Sequence, residues 1–179
     1  MTKIGNVYGE ALYSLAKEEG ISQQLLEEIT VLEQSFAREP AFLRLLDAPN
    51  LTKEERCQVL DNSFRGKIHS YALNFLKLLA EKSYARHFGA CCTAYRNCYN
   101  EDHGILPVTA VSAVPLSESQ QTALSQKLAA VTGKTIQLHN RVDETVLGGI
   151  RLDYNGIRMD DTLAHRLSDI RAKLKDTVL

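Results

Sequence analysis

The spacing of apolar residues changes at Gly104, and this change divides the chain into two parts. Before Gly104, apolar side chains recur at steps of three and four, the period of an amphipathic helix; the first such run is Ile4, Val7, Tyr8, Ala11, Leu12, Leu15 and Ala16. After it, the segment ILPVTAVSAV is rich in β-branched residues, and residues 135–142 alternate between apolar and polar, both typical of strands. We therefore expect an α+β protein, with a helical domain over residues 1–104 and a small α/β domain over residues 105–179.

Helix-breaking residues divide the first domain into six predicted helices. The stops are glycines and a proline: Gly20, Pro49, Gly66 and Gly104. Ser22 is predicted to cap the second helix, and Thr52 with Glu55 has the spacing of a capping box at the start of the fourth. The sixth helix is expected to start at about Ser83. Because the connections are short, the six helices should form a bundle.

The second domain is predicted to run strand, helix, strand, strand, strand, helix, forming a mixed sheet with two helices. Its first helix starts at the capping box of Ser117 and Gln120, with Leu124, Leu128 and Val131 on one side. The second strand should turn Ile136, Leu138 and Val142 to one face. Asn155-Gly156 predicts a hairpin. The final helix is expected to carry Leu163, Leu167, Ile170 and Leu174 on its apolar face.

Composition and charge exclude several classes of protein. The 179 residues have a net charge of −1, and the two parts carry 12 basic with 14 acidic and 9 basic with 8 acidic side chains. Neither part is basic enough for its charge alone to indicate nucleic-acid binding. No apolar stretch approaches the ~18 to 20 residues that span a bilayer, so direct membrane insertion is not expected. The start of the chain lacks the apolar run of a signal peptide, so we expect a cytoplasmic protein with reduced cysteines.

One segment resembles part of a phosphate-binding loop. Gly133-Lys134-Thr135 matches its end, but the position that must be the first glycine is Leu128. Such a loop also runs from a strand into a helix, whereas here a helix ends and a strand begins. Gly133 is therefore interpreted as a helix stop, and no nucleotide or other cofactor is predicted.

The cysteines and His103 are the remaining candidates for chemistry. Cys91 and Cys98 are seven residues apart on a predicted helix, whereas zinc ligands are usually two to four residues apart, so no metal site is predicted. Free cysteines are most often buried core residues. Two alternatives stay open: a thiol-dependent enzyme using Cys92 or Cys98 with His103, and a helical RNA-binding adaptor.

Two segments carry a family resemblance. Residues 7–16, VYGEALYSLA, resemble the opening helix of ATP synthase delta subunits and of the related mitochondrial oligomycin sensitivity-conferring protein. Residues 142–150 and 158–167 resemble the signature of the same family, through Gly148, Gly149, Asp160, Thr162 and Leu167. Three positions depart from its pattern: Thr162 replaces a serine, Asp161 a glycine, and Gly9 a frequent alanine.

The resemblance implies a non-catalytic stator subunit of a proton- or sodium-translocating ATP synthase. It would be present in one copy, peripheral to the cytoplasmic face of a bacterial membrane. The helical domain would bind N-terminal helices of the α subunits, and the second domain would bind the end of the b-subunit stalk. In the family, the first and fifth helices form the α-binding groove, which here points to Tyr8, Leu12, Leu15, Phe75, Leu76 and Leu79. One sequence does not separate a groove face from a core face.

Overall fold

The computed structural model describes residues 3–48, 50–146, 148–154 and 156–162. Its α-helices are α1 (Lys3–Glu18), α2 (Ser22–Arg38), α3 (Pro40–Leu46), α4 (Lys53–Phe64), α5 (Ser70–Glu81), α6 (Phe88–Asp102) and α7 (Glu118–Thr132). Its strands are β1 (Ile105–Ser112), β2 (Thr135–Val142), β3 (Ile150–Tyr154) and β4 (Ile157–Asp160). Helices followed by a mixed sheet confirm the α+β class. By its contacts, the chain divides into two compact units, Met1–Tyr99 and Asn100–Leu179.

The two predicted capping boxes are present, but the predicted cap at Ser22 is wrong. The backbone N–H of Thr52 donates to the Glu55 carboxylate at 2.8 Å, and the N–H of Glu55 donates to Thr52 Oγ1 at 3.2 Å. Ser117 and Gln120 form the same reciprocal pair. Ser22 instead lies inside α2, whose cap position is Ile21. Because the N–H of Ile21 bonds back to the Ala16 carbonyl, the α1–α2 turn is too tight to leave Ser22 outside the helix.

The start of α6 also differs from the prediction. A 3₁₀ turn at Ala85–His87 precedes α6, which begins at Phe88 rather than near Ser83. Ser83 has a left-handed backbone, with a φ of 56°, so it cannot be a helical residue. The Asp47 carboxylate accepts the backbone N–H groups of Ala85 and Arg86, each at 3.0 Å. A side chain 38 residues earlier in the chain therefore caps this turn.

The core of the first unit takes side chains from each of the helices α1 to α6. Its most deeply buried side chains are large and apolar; among them are Leu25, Ile29, Leu46, Leu60, Leu79, Phe88 and Tyr95. The Tyr95 ring has no exposed surface, and its hydroxyl donates to the Ser22 carbonyl at 2.8 Å. Each such apolar side chain contributes about 1.5 to 3 kcal/mol by burial. The buried cluster extends from Leu12 to Tyr95, so the packing that stabilises this unit lies within it.

A fragment containing residues 1–104 should therefore fold alone. We expect a strongly helical circular dichroism spectrum and a cooperative thermal transition, because a domain of ~100 residues can support its own core. The full-length chain measured in the same buffer is the reference. A fragment with the spectrum of a disordered chain would contradict the prediction.

The sheet of the second unit has the order β2-β1-β3-β4. β1 and β2 are parallel and joined through α7, whereas β1 pairs with β3, and β3 with β4, in antiparallel fashion. Gly133 ends α7 in a left-handed conformation, with a φ of 68°, which confirms the helix stop and not a phosphate loop. Val131 and Val142, predicted to share a face with Leu124 and Leu128 and with Ile136 and Leu138, are 86% and 46% exposed. The predicted final helix lies outside the described residues.

Candidate partner-binding groove

An apolar groove lies between α1 and α5 and encloses about 230 Å³. One wall is formed by α1 and the other by α5; the lining residues are Tyr8, Ala11, Leu12 and Leu15, then Tyr71, Asn74, Phe75 and Leu78. Tyr8 contacts Tyr84, which follows α5, and Glu19, which follows α1, interacts with Tyr71 near the start of α5. The two helices are therefore antiparallel.

The two walls have the same residue spacing. On α1 the lining residues fall at positions i, i+3, i+4 and i+7 from Tyr8, and on α5 they fall at the same positions from Tyr71. This spacing places all four side chains of each wall on one face of its helix. Two such faces side by side form a trough along the helix axes. A trough of this kind is how proteins bind the apolar face of an amphipathic helix.

The groove has a buried floor and an exposed rim. Leu12 and Phe75 are 6% and 7% exposed and belong to the hydrophobic core as well. Leu15 and Leu78 are 37% and 40% exposed, on opposite walls. Grouped exposure of large apolar side chains is common at surfaces that bind other proteins.

One end of the groove carries a hydroxyl and an acid. The carboxylate of Glu19 raises the pKa of Tyr71 through its charge, with smaller contributions from burial and from a hydrogen bond between the two side chains. The phenol therefore stays protonated and neutral at physiological pH. At the other end, the rings of Tyr8 and Tyr84 meet edge to face, with centroids 5.9 Å apart. A partner in this groove would meet aromatic rings at both ends.

Four of the six predicted groove residues line the groove, and two do not. Tyr8, Leu12, Leu15 and Phe75 are brought together there. Leu76 and Leu79 are 3% and 1% exposed and lie in the core cluster, so their assignment to the groove is corrected. The reason is the helical turn of about 100° per residue, which points Leu78 and Leu79 in different directions. Sequence reasoning did not assign Ala11, Tyr71, Asn74 and Leu78 to the groove. The spacing i, i+3, i+4, i+7 includes Ala11 when it is counted from Tyr8, and the other three when it is counted from Tyr71.

The signature residues of the second unit form a structural junction. Gly149 has a φ of 82°, and a Cβ atom added there would lie 2.5 Å from the Asp161 carbonyl oxygen and 3.0 Å from Thr162 Cα. The N–H of Asp161 donates to the Ile150 carbonyl at 3.3 Å, and that of Thr162 to Asp160 Oδ1 at 3.1 Å. Only glycine fits at position 149. Gly148 also has a positive φ, of 151°. Leu167 lies outside the described residues.

Cys91 and Cys92 are not placed for catalysis. Cys91 and Cys92 are both 1% exposed, and Cys92 Sγ lies 3.9 Å from the Ile29 carbonyl oxygen. Burial raises the pKa of Cys91 to about 11, and burial raises that of Cys92 further. A catalytic thiol needs a lowered pKa, because the thiolate is the nucleophile. Among the described residues, no group of three His, Cys, Asp or Glu side chains could hold a metal ion.

Thiol titration should separate two kinds of cysteine. At pH 8, an aromatic disulfide reagent should react with no more than the half-buried Cys57 and Cys98 in the native protein, and with all four thiols after denaturation. Cys91→Ser and Cys92→Ser variants, titrated while folded, should give the native count unchanged. Rapid reaction of three or four thiols in the folded protein would contradict the assignment.

Comparison with known proteins identifies the family. The family model described as the ATP synthase delta (OSCP) subunit matches residues 4–174. The chain belongs to this family. It is 29% identical over 176 residues to ATP synthase subunit delta of Clostridioides difficile, covering 98% of this chain and 97% of that one. It is 31% identical over 171 residues to the subunit of the same name from Syntrophomonas wolfei, covering 94% and 92%.

A solved structure has the same fold across nearly the whole chain. A chain of the Toxoplasma gondii mitochondrial ATP synthase hexamer superposes with a TM-score of 0.76 at 16% identity, covering 97% of this chain and 98% of that one. Members of the delta (OSCP) family are structural components of ATP synthase, so the predicted non-catalytic role is confirmed. Family membership supports neither the RNA-binding adaptor nor the thiol-dependent enzyme. Throughout the described part of the chain, every helix is too short or too polar to cross a bilayer.

Proposed function

We propose that this delta-family subunit is a stator adaptor, linking the α/β catalytic hexamer to the peripheral stalk. The helical domain, residues 1–104, binds the hexamer, and the α/β domain, residues 105–179, binds the end of the b subunits. The observation that supports the first contact is the groove between α1 and α5, whose two walls present matching apolar stripes. The second contact rests on family membership alone.

The occupant we propose for the groove is an amphipathic N-terminal helix of an α subunit. An α-helix is about 10 Å across, and its apolar face would pack between Leu15 and Leu78 onto the floor of Leu12 and Phe75. Covering the rim removes two exposed leucines from water. Because Tyr8 and Tyr71 lie near opposite ends of the groove, their rings would contact the bound helix about two turns apart.

A stator part must stay attached while rotation applies force to it. The relevant quantity is therefore the dissociation rate, since each dissociation event would uncouple the stalk from the hexamer. Two binding sites on one chain lower the rate of complete release, because a contact that opens re-forms within the same complex. In this proposal one copy serves each complex, at the cytoplasmic face of the membrane, without a nucleotide, metal or other cofactor.

Calorimetric titration tests the groove directly. A synthetic peptide containing the first ~25 residues of the α subunit of the same organism should bind the full-length chain saturably, with a 1:1 stoichiometry. A control peptide with the same composition but a scrambled order, which lacks the apolar stripe, should not bind. Absence of binding by the native peptide would overturn the groove assignment. A separate titration with the C-terminal part of the b subunit tests the second contact in the same way.

A further inference from the structure

Two glycines let α1 lie unusually close to α6. A Cβ atom added at Gly5 would be 2.5 Å from Ala90 Cβ and 3.0 Å from the Ala90 carbonyl carbon. A Cβ atom added at Gly9 would collide with the carbonyl oxygen of Cys91 and lie 2.7 Å from Ala94 Cβ. The distances of 2.5 Å to Ala90 Cβ and 2.7 Å to Ala94 Cβ are shorter than real Cβ atoms show. The helix α1 can therefore hold this position only with glycine at both sites.

The two sides of this contact match in spacing. Gly5 and Gly9 are four residues apart on α1, and Ala90 and Ala94 are four apart on α6, so small residues meet one turn after another. Glycine is unfavourable in the interior of a helix, yet α1 contains two glycines. We call these four residues the glycine seam. Close approach of the two helices is the physical reason for glycine there.

The glycine seam and the groove share one helix. Gly9 is adjacent to Tyr8, which lines the groove, and Leu12 is both a floor residue and a core residue. Tyr13, on the seam side of α1, packs edge to face on Tyr95 with ring centroids 5.3 Å apart. Because an α-helix moves as a rigid unit over so few turns, any displacement at the seam also displaces the groove wall.

We propose that the glycine seam is a positioning device for the groove: by fixing the distance from α1 to α6, Gly5 and Gly9 set where the α1 wall stands against the α5 wall. Both glycines are buried, so they act through Tyr8, Leu12 and Leu15 rather than by touching the partner. This inference rests on the proposed function for its consequence in binding, but its structural part, the position of α1, is tested without the partner.

The test is a swap of side-chain size across the seam in the full-length chain. Gly5→Ala adds the methyl group that collides with Ala90, and Ala90→Gly removes the methyl group that it meets. We expect Gly5→Ala to weaken α-peptide binding about tenfold or more at a temperature where it is fully folded, and the double variant to recover to within about threefold of wild type.

A matched control is available on α6. Gly89 is also a helical glycine, but a Cβ atom added there would meet only the Glu33 carboxylate oxygen, at 3.7 Å. Gly89→Ala should therefore leave binding unchanged. Equal weakening by Gly89→Ala and Gly5→Ala would overturn the proposal, as would wild-type binding by Gly5→Ala or failure of Ala90→Gly to restore it.

Crystal structures of the variants give a readout that does not depend on the peptide. The proposal requires α1 of Gly5→Ala to move relative to α5, and α1 of the double variant to return to its wild-type position. If α1 stays in place and α6 yields instead, the proposal fails even if peptide binding is weakened. If Gly5→Ala does not fold, the double variant decides, since a displaced α1 there would overturn the proposal. Failure of wild type to bind the peptide would instead count against the proposed function.

Discussion

Replacing Leu78 with aspartate should abolish binding of the α-subunit peptide while leaving the protein folded. Leu78 is 40% exposed on the rim of the groove, so in the free protein the new carboxylate would remain in water. In the complex it would be buried against an apolar helix without a partner, which costs several kcal/mol. We expect affinity to fall by about a hundredfold or more, measured by calorimetry, with a melting temperature near that of wild type.

The adjacent residue supplies the control. Leu79 is 1% exposed in the core, so Leu79→Asp should lose the cooperative thermal transition, because a charge would be buried in the folded state itself. The two variants carry the same substitution one position apart and should give opposite outcomes. If Leu78→Asp unfolds the protein, or if it binds the peptide like wild type, the assignment of Leu78 to the groove is wrong.

The difference between Leu78 and Leu79 shows where sequence reasoning stops. Apolar residues occupy more than half of the circumference of α5. Six of them are buried: Ala72, Leu73, Phe75, Leu76, Leu79 and Ala80. A stripe this wide is compatible with several choices of core face. The periodicity therefore predicted the helix, but only the packing of α1 and the other helices against it decides which side lines the groove.

Features determined by a few neighbouring residues were predictable, and features determined by distant ones were not. Both capping boxes depend on residues three apart, and both formed as expected. The cap of the turn at Ala85 comes from Asp47, which no local pattern links to it. The close approach at Gly5 likewise depends on Ala90, so the sequence alone gave no reason for a glycine inside a helix.

The family signature illustrates the same limit in the second unit. Its two halves, around Gly149 and Asp161, are separated in sequence and could be recognised only as a resemblance. The structure supplies the physical reason, because the backbone of Asp161 and Thr162 passes directly over the position where a side chain at Gly149 would stand. The requirement for glycine at position 149 is thus set by the backbone path of Asp161 and Thr162.

Replacing Arg56 with alanine should strongly destabilise the first unit, although Arg56 lies outside the groove. Its guanidinium group is buried, with the residue 6% exposed. Nη1 donates to the Ala80 carbonyl at 3.0 Å and to Ser83 Oγ at 2.8 Å, and Nη2 donates to the Ala48 carbonyl at 2.7 Å. Arg56 on α4 therefore links the C-terminal end of α5 to the segment that follows α3, and it adds a charged donor to carbonyls that also accept the backbone N–H groups of Ser83 and Leu51.

The expected loss is about 3 to 5 kcal/mol in the free energy of unfolding, since three hydrogen bonds from a charged donor are lost and each such bond contributes about 1.5 to 3 kcal/mol. Urea denaturation of the full-length chain measures it. Arg56→Lys should recover only part of the loss, because one ammonium group lacks the planar fork that reaches both helix ends. Arg65→Ala, at the residue that follows α4, is the control: its side chain is 75% exposed and pairs with Asp61 on the surface, so the change should alter stability by less than about 1 kcal/mol. Equal stability of the Arg56→Ala and Arg65→Ala variants would show that these buried hydrogen bonds do not hold the helix ends together.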